Sequence, residues 1–186
     1  MMLSADEIRQ RLGDDIQIDP IGDDAINSNG VNLRLHDELL VYEEIVLDAA
    51  KPNRYRRLAI PDEGLILQPG LLYLGRTVEY TRTRGLVPMI QGRSSLSRLG
   101  LLVNPSGTLG DNGYCGTWTV EMHCIQPVRI YAGMQVCQIA YLQLLGGGEN
   151  YDGGKYQNST DIQVSQMYRE LGPEADTQQM KLGFEA

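Results

Sequence analysis

Two short stretches of this 186-residue chain carry side chains whose types and spacing suit chemistry. The first, Gly92-Arg93-Ser94-Ser95, sets a fixed cation and two hydroxyls beside a glycine, a combination suited to oxyanions such as phosphate. Arg98 adds a second cation five residues after Arg93. The second stretch opens with Asp111-Asn112-Gly113-Tyr114, where Asp, Asn and Gly all tolerate the backbone angles of a tight reversal. A strand is expected next. From Thr117 to Cys124 the apolar residues Trp118, Val120, Met122 and Cys124 alternate with Thr117, Thr119, Glu121 and His123, the period-two pattern of a strand with one buried face. Trp118 is thereby placed on the core face and Glu121 off it.

Each of these residues also has a plainer reading. A strand glutamate is usually a solvated surface group. Arg93 and Arg98 can be surface charges or subunit salt bridges, Ser95 a backbone cap, Asp111 a turn residue alone and Tyr114 a core aromatic. His123 reads as a polar-face strand residue.

The spacing as a whole resembles the dCTP deaminase branch of the trimeric dUTPase-like superfamily. Its members carry GRSSxxRxGL, an Asp-x-Gly-aromatic-x-Gly turn, and a strand glutamate ten residues after that Asp. Here the turn is Asp111-Asn112-Gly113-Tyr114-Cys115-Gly116 and Glu121 holds the expected spacing, within a resemblance running from Leu3 to about Tyr168. The resemblance implies a homotrimer with sites at subunit boundaries that converts dCTP to dUTP and ammonia without zinc. It makes Glu121, Ser94 and Arg98 catalytic, and Arg93, Ser95, Asp111, Tyr114, Gln138, Lys155 and Tyr156 substrate-binding. For Arg93 an interface role stands beside phosphate contact. It also implies Mg2+ bound with the triphosphate and, in some relatives, inhibition by dTTP.

The chemistry itself constrains the roles. Replacing the cytosine amine by oxygen needs water to attack C4, with one proton taken from that water and protons delivered to N3 and the leaving ammonia. One carboxylate near both does this best when burial raises its pKa towards neutrality. Ser94 and Arg98 would position the water and stabilise the polar transition state. Tyr114 suits stacking under a deoxyribose, where the ring leaves no room for a 2′-hydroxyl. The zinc-dependent route needs H-x-E with Cys-x-x-Cys, which His36, His123 and three scattered cysteines do not supply, so no metal ligand is assigned.

Two other readings stay open. A bifunctional enzyme would carry dCTP through to dUMP and pyrophosphate, with Asp111 activating a water for attack on the α-phosphorus. A non-catalytic nucleotide sensor ranks last, because Glu121 and Arg98 are both present. The chain departs from the resembling pattern in places. Asn104 to Gly110 replaces a VHVTA-x-x-I form, Asn32 and His36 replace Asp and Gly in VDLRLG, Cys137 replaces the glycine before Gln138, and Ser159 replaces Gln in KYxNQ.

The elements that must position these groups are mostly strands. Ser4-Ala5-Asp6-Glu7 is a capping box, with Leu3 and Ile8 as its hydrophobic staple, and predicts one short helix. Strands are expected over Ile16 to Ile21, Val31 to Leu35, Leu39 to Leu47, Tyr55 to Ile60 and, after the Pro69-Gly70 turn, Leu71 to Val78. Many short strands with one early helix indicate a mainly β fold, a distorted jelly roll or β-sandwich of the dUTPase-like type. Its expected division is a β domain over 1–145, a C-terminal lid over 146–170 opened by the Gly146-Gly147-Gly148 hinge, and a polar tail over 171–186.

Composition bounds the partners. The length fits one domain with its own core. A net charge of −8 argues against nucleic-acid and membrane surfaces, so an anionic ligand must be held by a local cluster of cations. Three cysteines without Cys-x-x-Cys spacing point to reduced thiols in the cytoplasm, and no apolar run spans a bilayer.

Overall fold

A computed structural model of the chain describes residues 1–104, 107–146 and 148–172. Pro105 and Ser106 of the Asn104 to Gly110 stretch, Gly147 of the hinge, and 173–186 of the tail lie outside the described residues. The first elements are α1 (Ala5–Arg11), β1 (Ile16–Asp19), β2 (Ile26–Asn27), β3 (Gly30–Arg34), β4 (Glu38–Tyr42) and β5 (Tyr55–Ala59). There follow β6 (Leu65–Leu67), β7 (Tyr73–Thr83), β8 (Leu86–Gly92), α2 (Ser94–Ser97) and β9 (Leu101–Val103). The chain continues through β10 (Cys115–Cys124), β11 (Val128–Ile130), β12 (Gln135–Gln143) and α3 (Tyr168–Leu171).

Helix α1 starts as its sequence requires. The Ser4 hydroxyl accepts from the Glu7 N–H at 3.3 Å, and Leu3 and Ile8 are both buried. Only half of the capping box forms, because the Glu7 carboxylate turns to Arg11 at 2.7 Å.

One sheet runs β5-β4-β7-β10-β9, with β1 also paired to β7; a second runs β2-β3-β12-β8; β11 and β6 form a separate pair. All the pairings are antiparallel. Val31, Leu33, Ile90, Ile139 and Tyr141 of the second sheet meet Leu39, Val120 and Met122 of the first in one buried cluster, which makes the fold a mainly β sandwich. The core is the apolar face that the period-two patterns define.

Strand β7 is the axis of the first sheet. One edge takes β10 along most of its length, and the other is shared by β4 at its start and β1 at its end. It runs to Thr83, five residues past the expected end at Val78, because its inward face is polar and carries no hydrophobic signal. Thr77, Glu79, Thr81 and Thr83 are all buried there. The Glu79 carboxylate, 2% exposed, accepts from the Arg34 backbone N–H at 2.8 Å and from the Arg34 Nε at 2.7 Å. A buried carboxylate persists only when it is paired in this way.

Other expected limits also move. Strand β4 stops at Tyr42, and Ile45, Val46 and Leu47 stand exposed on a loop that Asp48 and Asn53 close by two mutual hydrogen bonds of 2.9 Å. Strand β1 ends at Asp19, before Pro20, which has no N–H for a ladder.

Arg34→Ala should leave Glu79 buried with the backbone donor alone. We expect a loss of about 3 kcal/mol, the low end for breaking a buried pair, in a chemical-denaturation titration at neutral pH. An unchanged midpoint would mean that Glu79 is held by other groups.

Candidate active site

The polar inner face of β7 sets the geometry of β10. Between Thr117, opposite Tyr80, and Thr119, opposite Arg76, two residues of β10 advance against four of β7. The ladder is broken there, and side chains replace it. The Thr77 hydroxyl accepts from the Trp118 backbone N–H at 3.0 Å, and the Thr81 hydroxyl accepts from the indole Nε1 at 2.8 Å. An irregularity of this kind re-aims a side chain. Trp118 therefore does not lie wholly in the core, as simple alternation predicts. It packs against the core and also forms the wall of a cleft.

That cleft has a volume of about 430 Å³ and is lined by Asp111, Tyr114, Trp118, Glu121, Tyr151 and Tyr156, among others. Glu121 projects from β10 and is half-buried. Burial is the cause that raises its carboxyl pKa, and among the described residues that carboxyl has no hydrogen-bond partner. Asp111 lines the same cleft from the preceding turn, and its side chain is exposed.

The turn is rigidly mounted. The Asn112 amide oxygen accepts from the Gly85 N–H at 2.8 Å, while its amide nitrogen donates to the Glu149 carbonyl and the Asn150 side chain, both at 3.2 Å. The Tyr114 hydroxyl donates to the Thr117 carbonyl at 2.8 Å, and its ring lies 4.4 Å from that of Trp118 and 6.3 Å from that of Tyr151. Desolvation pushes the Tyr114 hydroxyl pKa well up, so Tyr114 works as a neutral aromatic wall.

The C-terminal segment closes one side. Gly116 lets it approach: a Cβ there would meet the Ser159 carbonyl at 2.8 Å, and its φ of +145° disfavours any larger residue. The Thr117 N–H donates to the Ser159 carbonyl at 2.8 Å, the Asn158 N–H to the Cys115 carbonyl at 2.8 Å, and the Gln163 N–H to the Thr119 hydroxyl at 2.9 Å. Ile162 is buried against Leu40 and Leu74, and Asp161 pairs with Arg57, which holds its carboxyl below the usual range. Residues 158–165 are thus docked along β10 and β4. Ser159, where the resemblance expects Gln, is itself buried and hydrogen-bonded to the Asp161 carbonyl at 2.8 Å.

The expected site residues divide into two groups. Asp111, Tyr114, Glu121 and Tyr156 meet in the cleft. The others do not line it. Arg93, Ser94 and Ser95 lie at the start of α2, with Arg93 donating to the Gln135 carbonyl at 3.3 Å and Arg98 to the Ser94 hydroxyl at 3.3 Å. Gln138 donates to the Asn27 side chain at 3.1 Å, and Asn27 to Asn32 at 3.3 Å, so Asn32 joins a neutral amide network. Lys155 is paired with Glu170. Sequence reasoning missed Tyr42, Tyr151 and Gln163, which also line the cleft. An aromatic inside the glycine-rich stretch Asn150-Tyr151-Asp152-Gly153-Gly154 was the available signal for Tyr151.

Fold and cleft together define a mainly β sandwich with two carboxylates lining one aromatic-walled pocket. The same fold occurs in the crystal structure of a 2′-deoxycytidine 5′-triphosphate deaminase from Agrobacterium tumefaciens, at a TM-score of 0.60 and 18% identity, over 75% of this chain and 46% of that one. The chain belongs to the dCTP deaminase-like family, whose model matches residues 2–144. A protein of Rhodopirellula baltica named dCTP deaminase is 62% identical over 185 residues, covering 100% of this chain and 93% of its own. One of Hathewaya histolytica named dCTP deaminase, dUMP-forming, is 52% identical over 171 residues, covering 92% and 99%.

Burial raises the folded-state pKa of Glu121 above its unfolded value, so the folded state holds that proton more tightly. Stability therefore falls as pH climbs from the unfolded carboxyl range through the folded value. Glu121→Gln should melt above the wild type at pH 7, with the gap closing below about pH 4. An equal or lower melting temperature at pH 7 would refute the account.

Proposed function

We propose that the chain is a dCTP deaminase of the dUMP-forming kind, carrying dCTP to dUMP, ammonia and pyrophosphate. The observation that supports this most directly is that Glu121 and Asp111 line one cleft. The resemblance in sequence alone implies dUTP release. The name of the 52% identical relative, shared by several others at similar identity, favours the dUMP-forming reading. Release of dUTP remains the second reading, favoured by the name of the 62% identical protein.

In the deamination half, Glu121 takes a proton from water as its oxygen attacks C4. It then delivers protons to N3 and to the departing ammonia. A carboxyl whose pKa burial has raised suits both directions of transfer. In the second half Asp111 takes a proton from a water that attacks the α-phosphorus, and pyrophosphate leaves. Tyr114, backed by Trp118, walls the sugar and excludes a 2′-hydroxyl. Magnesium would come as the partner of the triphosphate, whose charge it would offset, since no group of three or more His, Cys, Asp or Glu among the described residues could hold it alone. Lys155 leaves Glu170 for the phosphates when nucleotide is bound, and dTTP, which shares the deoxyribose and triphosphate, competes for the same cleft.

Ser94 and Arg98, with Arg93, Ser95 and Gln138, complete the site from a neighbouring copy of the chain in a homotrimer. What supports this is that they lie outside the cleft that holds Glu121, with Arg98 making no ion pair among the described residues. Leu99, Leu109 and Ile125 are apolar and more than half exposed, as a subunit contact surface requires. The cytoplasm suits the three free thiols Cys115, Cys124 and Cys137.

Incubating the protein with dCTP and Mg2+ and resolving the products should yield dUMP, ammonia and pyrophosphate. Accumulated dUTP without pyrophosphate would install the second reading, and no turnover would leave only nucleotide binding. Glu121→Gln should bind dCTP and lose deamination. Mixing Glu121→Gln with Arg98→Ala, unfolding and refolding them together, should restore activity to about one quarter of the sites, since each site then draws its two residues from different copies. No restoration would place both residues in one subunit's site.

A further inference from the structure

We propose that Trp118 is the positioning residue that holds Asp111 in register with Glu121, and so sets how much dUTP proceeds to dUMP before it escapes. The inference rests on the dUMP-forming reading above.

The residues that lead into Asp111 are held between strand β8 and the Trp118 ring. The Gly110 N–H donates to the Pro88 carbonyl at 2.8 Å, and the Ile90 N–H to the Thr108 carbonyl at 2.7 Å, so this segment lies against β8. Its other side faces the indole. A methyl added at Gly110 would overlap Cη2 of Trp118 and meet Cγ of Pro88 at 2.9 Å. Only a glycine fits between those two rings. The indole cannot retreat, because its Nε1 donates to the Thr81 hydroxyl at 2.8 Å and its face meets Tyr114 at a centroid distance of 4.4 Å.

Trp118 is therefore in contact with both carboxylate supports. It sits three residues before Glu121 on β10, and its ring edge abuts the residue before Asp111. Glu121 is set by the strand ladder, whereas Asp111 is set between Gly110, which rests against the indole, and Asn112, which is tied to Gly85, Glu149 and Asn150. Displacing Gly110 moves Asp111 and leaves Glu121 in place.

The reaction that Asp111 serves is demanding in position. A water oxygen forms a bond to the α-phosphorus and the bond from that phosphorus to the α,β-bridging oxygen breaks. Pyrophosphate departs with the bridging oxygen, and the water proton passes to the Asp111 carboxylate. Displacement of such a base by about 1 Å lowers a rate by about 100-fold.

The test is the ratio of dUTP to dUMP released from dCTP in single-turnover and steady-state assays. Gly110→Ala, checked for folding by its melting transition, should lower dUMP formation by about 100-fold while dCTP consumption falls less than about threefold. dUTP then accumulates. Trp118→Phe, which withdraws the ring edge that backs Gly110, should by itself raise the ratio of dUTP to dUMP in the same direction. A merely structural contact would depress both halves together and leave the ratio unchanged.

An unchanged ratio in folded Gly110→Ala or in folded Trp118→Phe overturns the inference. A wild-type enzyme that releases only dUTP sinks the dUMP-forming reading and the inference with it. The two failures are told apart by the wild-type products alone.

Discussion

The structure turns on the break in the β7–β10 ladder, where threonine hydroxyls take over from backbone pairing. Thr77 and Thr81 satisfy the Trp118 backbone and indole N–H groups, which regular pairing would have handled differently. Without those hydroxyls two buried donors would lack partners, at a cost larger than a typical net hydrogen bond. With them, β10 changes register, Trp118 faces the cleft, and the following residues carry Glu121 to its wall. The buried polar face of β7 is thus the mount on which the site is built, and Glu79 with Arg34 extends that polar seam towards the second sheet.

Closure of the site draws on the same strand. Gly116 and Thr117 accept the returning C-terminal segment as an extra partner through Ser159, and Thr119 receives Gln163. A segment too polar to fold alone becomes ordered by borrowing the hydrogen-bonding capacity of β10 and two buried leucines of the first sheet. This docking brings Tyr151 and Tyr156 to the cleft, where they join Asp111, Tyr114, Trp118 and Glu121, with Tyr42, Leu72 and Leu74 also lining it.

Burial of Glu121 illustrates the trade between stability and chemistry. A half-buried carboxyl that has no partner among the described residues weakens the fold at neutral pH, and the same desolvation raises its proton affinity, the direction that the proposed proton transfers need. The Tyr114 ring, by contrast, is fully satisfied through its hydroxyl, which makes it a fixed surface rather than a titrating one.

Local patterns were enough for several features. Ser4 as a helix cap, the Asp111 to Gly116 turn, and Glu121 leaving the apolar face of its strand all depend on neighbours in sequence. Propensity and period-two alternation express such features directly. Other features depend on partners far along the chain. The inward face of β7 can be polar and buried because Thr77 and Glu79 meet Trp118 and Arg34, 41 and 45 residues away, and Thr81 meets the Trp118 indole. Trp118 looks like core because alternation assumes an unbroken ladder, and the polar C-terminal segment looks mobile because its partners lie on β10. The sequence by itself determined the chemical groups, the β class and which face Glu121 leaves. Tertiary structure alone decided which groups share the cleft and which stand apart, because buried hydrogen bonds between distant residues, rather than local periodicity, choose the register.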